Sequence, residues 1–221
     1  LMHNGDKFLA WHGITFSRYI AYQDLPPKLP PVEKINVLLV SSEAYDSSQG
    51  LHKFKRSERK AIRDGLDLAL NQGHINLVDL AEEINDYPTF KALTKYLTEN
   101  RGEKQPHVLH FDGNGIYWKQ CINCQKIYGG INSQHCENVS CQNQPLLEAQ
   151  GYLLFEDEQG NPDYISAETL GATLKSMTSG GKTDTRGRLT VAVLSACQSG
   201  MAATGESVFN GTAQKLIEYS I

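Results

Sequence analysis

The chain has 221 residues, 40% hydrophobic and 21% charged, enough to bury one substantial core and within the range of a single globular domain. Its formal net charge of −4, with the basic residues scattered rather than clustered, excludes the electrostatic footprint of a nucleic-acid or anionic-membrane binder. No run approaches the roughly 18 apolar residues that span a bilayer. Leu1 to Phe8 also lacks the order of a signal peptide, so a cytoplasmic protein is expected.

Gly13 to Tyr22 has the β-branched and aromatic content of a strand, and the four prolines between Pro26 and Pro31 mark an extended connector. Ile35 to Ser42 is almost unbroken in its apolar character, which suits a strand buried on both faces. Ser57 to Gln72 places Ile62, Leu66, Ala69 and Leu70 on one side and charges on the other, with Gly73 behind them, and predicts an amphipathic helix. Ile75 to Leu80 reads as a second short strand. Pro88 then opens a helix in which Phe90, Leu93, Tyr96 and Leu97 share a face, with Gly102 beyond its end.

His107 to Phe111 is a third buried strand, running into a glycine-bearing turn from Asp112 to Gly115. Beyond a cysteine-rich stretch, Gly151 to Ser166 reads as a hairpin turning at Gln159 to Pro162, and Ser166 with Glu168 can cap a helix that reaches Met177. Thr178 to Arg188 is polar and glycine-rich, as a mobile loop would be. Leu189 to Ser195 is the fourth buried strand and ends at Ala196 and Cys197, after which a last helix carries Phe209, Ala213, Leu216 and Ile217.

This alternation predicts an α/β domain with helices on both faces of a mainly parallel sheet. In such sheets the active crevice lies beyond the carboxyl ends of the strands. Residues 1–33 are the N-terminal strand and connector, 34–117 and 146–221 the two parts of the main domain, and 118–145 an insertion.

Four of the five cysteines fall in that insertion. Cys121 and Cys124 form a C-x2-C pair, Cys136 and Cys141 follow, and glycines 129 and 130 lie between the pairs. Four thiolates at this spacing can fill the tetrahedral shell of a zinc ion, leaving no open position, so the ion's role would be structural. His135 is a possible substitute ligand, and two disulfides or four free thiols are the alternatives. A nucleic-acid-binding zinc module, with Tyr128 and Trp118 as possible stacking groups, is disfavoured, because the insertion holds only Lys119 and Lys126 as basic residues.

The fifth cysteine, Cys197, ends a strand and precedes a short polar and glycine turn, Gln198 to Gly200. There a sulfur can meet substrate while nearby backbone N–H groups face a developing oxyanion. The plain alternative is a small buried cysteine that only packs. LSACQSG resembles the cysteine segment of the CHAT family, caspase-like peptidases related to caspases and separase. HVLHFDGNG resembles that family's histidine segment, in which HF and a small residue precede GHG.

The resemblance covers Ile35 to Ile221 and implies a caspase-like sandwich of helices around a mainly parallel sheet. It also implies Cys197 as nucleophile, Gly115 as an oxyanion-hole donor and position 114 as the place of the catalytic base. The spacing agrees: the interval of 83 residues between positions 114 and 197 falls to 55 once the 28 residues from Trp118 to Pro145 are discounted. Caspases separate the two groups by about 50.

Position 114, however, holds asparagine, whose amide can neither take a proton from a thiol nor return one to a leaving amine. Three readings follow: a base exchanged for asparagine so that substrate is held uncut, a natural pseudo-peptidase that binds a protein partner, or His110 acting in its place. The family resemblance further implies a protein substrate, a regulatory or sensor module alongside, and a setting in prokaryotic signalling or antiviral defence. Asp112, Glu156 and Asp157 are acidic candidates for a substrate pocket. A caspase-like sheet would continue past the last helix, so a segment beyond Ile221, or from another chain, is expected to pair alongside Leu189 to Ser195. The absence of a Met at position 1 fits the same expectation of a longer chain.

Overall fold

The apolar runs line up as one parallel sheet in a computed structural model, which describes residues 3–4, 7–8, 32–53, 56–100, 104–128, 133–178, 189–196 and 216. In chain order the elements are β1 (His3–Asn4), β2 (Lys7–Phe8), β3 (Ile35–Ser41), α1 (Arg56–Asn71), β4 (Ile75–Asp79), α2 (Leu80–Ile84), α3 (Phe90–Glu99), β5 (Val108–Gly113), β6 (Gly115–Gln120), β7 (Ile127–Tyr128), β8 (Gln150–Glu156), β9 (Pro162–Ser166), α4 (Ala167–Thr178) and β10 (Val191–Ala196). The strand expected over Gly13 to Tyr22, the proline connector, the loop 179–188 and the final helix lie outside the described residues, except that Leu216 is helical and buried in the main core.

The parallel sheet has the order β10-β5-β3-β4. Alternation sends Leu38, Val40, Leu109 and Phe111 to one face, where they meet Leu80 of α2, Leu93, Tyr96 and Leu97 of α3, Leu170 and Leu174 of α4, and Phe155 of β8. Ala192, Leu194 and Ala196 of β10 pack against the same cluster. On the opposite face, α1 lies against β4 and its Arg59 and Arg63 both reach the buried carboxylate of Asp79, at 2.6 and 3.2 Å. Val191 and Val193 are exposed, and β10 is an edge of the sheet among the described residues. No helix among them is long and apolar enough to cross a membrane.

A second, antiparallel sheet of four strands, in the order β7-β6-β8-β9, stands beside the first. It adds to the expected parallel sheet a second one that the sequence did not predict. Only its β8–β9 hairpin is legible as alternating sequence, closing through Asp157, whose carboxylate accepts from Gln159 N and Asn161 N at 2.8 Å. The expected turn from Asp112 to Gly115 is corrected. Strand β5 continues to Gly113 and β6 begins at Gly115, so Asn114 alone joins two strands in different sheets. Helix α3 starts two residues later than Pro88 suggested, with Thr89 as the cap that accepts from Ala92 N at 2.9 Å.

Two half-buried histidines at the parallel sheet make stability fall in mild acid. His107 Nδ1 accepts from Asn36 N at 2.9 Å, which requires the neutral ring, and burial lowers the affinity of His107 for a proton. Burial lowers that of His110 as well, with Asp112 opposing. The unfolded chain therefore takes up these protons first, at the ordinary histidine value of 6.5. Their contribution is complete above that value and is lost as the pH falls below it toward the folded-state values. The urea midpoint should be lower at about pH 5.5 than at about pH 7.5, and the difference should shrink in His107→Asn.

Candidate functional site

The carboxyl ends of β3, β5 and β10 meet at one edge of the parallel sheet, in the register Ser41 opposite Asp112 and Gly113 opposite Ala196. Gly113 stands where a side chain would crowd its neighbours. A Cβ there would stand 3.0 Å from the Phe111 ring and 3.2 Å from the Ser42 carbonyl oxygen. Immediately past this close approach comes Asn114, only 4% exposed. Its Nδ2 donates to the carbonyl oxygens of Ala44 at 2.8 Å and His52 at 2.9 Å. Both amide hydrogens are thus spent on the loop that follows β3.

That loop is held by two further contacts to the second sheet and one ion pair within itself. Tyr164 Oη donates to Asp46 at 2.8 Å, Glu43 N to Glu156 at 3.4 Å, and Lys53 pairs with Glu43 at 3.2 Å. Burial raises the pKa of Glu156, while the Glu43 N–H opposes the shift. Hydrogen bonds from Ser48 are the largest influence holding Asp46 low. Asp112 and Glu156 are both buried beside this loop, whereas Asp157 serves the hairpin turn.

Cys197 lies outside the described residues, one peptide bond beyond Ala196. Leu154 N donates to Asn114 O at 3.0 Å, making Asn114 and Leu154 a hydrogen-bonded antiparallel pair. The next pair, Gly115 and Leu153, is then of the other kind, and the Gly115 N–H points away from β8. His110 stands mid-strand, four residues and about 13 Å of extended chain before Asn114. Its Nε2 is buried without a hydrogen-bond partner among the described residues.

Strand β6 leads from Asn114 to the cysteine cluster. Cys121 pairs across to Leu146, and Leu147 N donates to Gln120 O at 2.8 Å, so the insertion closes on its own two ends. Inside it the Sγ atoms of Cys121, Cys124, Cys136 and Cys141 all lie within 4.8 Å of one another, and all four cysteines are free. A four-coordinate ion with metal–sulfur bonds of about 2.3 Å sets its sulfurs about 3.8 Å apart. Cys124 and Cys136 are 3.6 Å apart. The cluster therefore fits a metal ion. His135 is exposed and is not among the four ligand candidates.

The four thiols are not equivalent. Burial drives Cys141 up to about 12, aided by hydrogen bonds with the other three. Burial acts in the same direction on Cys136, yet hydrogen bonds from Tyr128, the Asn138 N–H and two neighbouring thiols outweigh it and hold Cys136 at about 6. The sequence suggests Tyr128 only as a possible stacking group, and it gives no sign of the Ala44 and His52 carbonyls. The one available signal for Tyr128 is a large polar aromatic inside an otherwise apolar-poor insertion. No protein-family model matches the chain, and no curated protein matches it.

Proposed function

We propose that this chain is a CHAT-type, caspase-like cysteine endopeptidase domain, with Cys197 as nucleophile and position 114 as the place of the base. As written, with asparagine there, it holds a protein partner without cutting it. The observation that carries this reading is the pairing of Gly113 with Ala196, from which residues 114 and 197 each follow by one peptide bond. In the active form, the base at position 114 takes the thiol proton, and the sulfur attacks the scissile carbonyl. The base then gives that proton to the departing amine, leaving a thioester that water hydrolyses. Gly115, with its N–H turned from β8, serves the oxyanion.

The Asn114 surroundings suit an imidazole. A neutral histidine has one N–H to donate, and either the Ala44 or the His52 carbonyl can receive it, leaving the other ring nitrogen as base. The test is Asn114→His, which should introduce cleavage that Cys197→Ala removes. A natural pseudo-peptidase is the second reading. It is favoured by the full use of the Asn114 amide as a clamp on the loop.

The four clustered thiols, on this proposal, hold one zinc ion in a structural role. The domain works in the cytoplasm of a prokaryotic signalling or defence system, under a sensor module that controls access of its protein substrate.

A further inference from the structure

We infer that Tyr128 is a positioning residue of the metal centre, donating its hydroxyl proton to the Cys136 sulfur and so setting that ligand's orientation and donor strength. The inference rests on the reading of the four thiols as a zinc site. Tyr128 Oη lies 3.0 Å from Cys136 Sγ and accepts from Glu137 N at 3.1 Å. An oxygen whose lone pair takes an N–H keeps its own proton to give, and the sulfur is the partner within reach. Asn138 N also donates to this sulfur, at 3.4 Å. Among the described residues none of the other three sulfurs receives a hydrogen bond from a non-cysteine side chain.

The hydroxyl is placed by the sheet. Tyr128 ends β7, paired with Lys119 of β6, and its ring is 5% exposed and packed among the cysteines. A phenylalanine would fill the same space. Tyrosine there brings a buried hydroxyl that must be bonded to be tolerated, and it is bonded to a ligand. The Lys126 ammonium stands 5.3 Å from the ring centroid, a positive charge next to the doubly negative shell that four thiolates make around a divalent ion.

Outer-shell partners of this kind are worth about 10–100-fold in metal affinity. Zinc affinity of the whole chain, measured by chelator competition, should therefore fall about 10–100-fold in Tyr128→Phe. In the cobalt(II)-loaded protein the thiolate-to-metal charge-transfer band should move to lower energy, because a sulfur relieved of a hydrogen bond holds its electrons less tightly. Weakened affinity with an unmoved band would reduce Tyr128 to a packing role and overturn the inference. Unchanged affinity and band would overturn it with the metal centre intact, whereas failure of the unaltered chain to bind zinc would overturn the zinc reading as well. Should Tyr128→Phe not fold, 3-fluorotyrosine at 128, a stronger donor of nearly the same shape, must move the band to higher energy; an unmoved band overturns the inference.

Discussion

Exchanging Asn114 for histidine should raise peptide-bond cleavage by about 10²–10⁴-fold over the chain as written, the range that a positioned acid–base group contributes. The gain follows from what the amide lacks. Its two hydrogens go to the Ala44 and His52 carbonyls, and it has no nitrogen that can shuttle a proton. An imidazole in the same pocket can keep one of those bonds and turn its free nitrogen toward the end of β10. Adding Cys197→Ala should return cleavage to the starting level. If the unaltered chain already cleaves and His110→Ala silences it, the base is His110. If the histidine variant binds the protein partner but never cuts it, the pseudo-peptidase reading holds.

If the four thiols hold a metal, removing it should unfold the insertion and β7 with it, while leaving the parallel sheet and β6, β8 and β9 in place. The buried cluster of that module consists of the thiols of Cys121, Cys136 and Cys141 with Tyr128, backed by Cys124 and Leu146. Two further large apolar residues of the module face outward, Val139 at 92% exposed and Ile122 at 58%. Structural zinc supplies about 10–16 kcal/mol in small zinc-binding peptides, far more than such a cluster can bury. Chelation or Cys121→Ser should abolish amide-hydrogen protection from Cys121 to Leu147, with β3, β5 and β8 still protected. Protection that survives chelation would mean that the thiols hold the module without metal.

The parallel sheet was legible because its strands are mostly apolar runs, although β10, expected to be buried, leaves the face with Val191 and Val193 exposed. Strand β6 was not. Ile116 and Tyr117 are both buried, so the alternation that marks an antiparallel strand is missing at its start, and the motif around Asn114 reads as a turn. The short helix α2 escaped for a different reason, since five residues show no period. Its signal was local: Asp79 caps Ala81 N at 3.2 Å and Glu82 follows at the third helical position, the pattern of a capping box.

Of the candidate sites, the cysteine cluster was legible as spacing, because ligand pairs close in sequence stay close in space. What surrounds each site was not. The carbonyls that hold Asn114 lie 70 and 62 residues away in the chain, and Tyr128 meets Cys136 only through the register of β6 with β7. Such contacts are made by the fold rather than by any pattern within a segment.

In the proposed mechanism residue 197 carries the acyl group. The direct measurement is to give the Asn114→His protein a peptide bearing an electrophile at its scissile carbonyl and to locate the adduct by mass spectrometry of the digested chain. The adduct is predicted on Cys197, at one per chain, absent from Cys197→Ala and much slower to form in the chain as written. An adduct on one of the clustered cysteines alone, or labelling of Cys197 no faster with histidine than with asparagine at position 114, would contradict it.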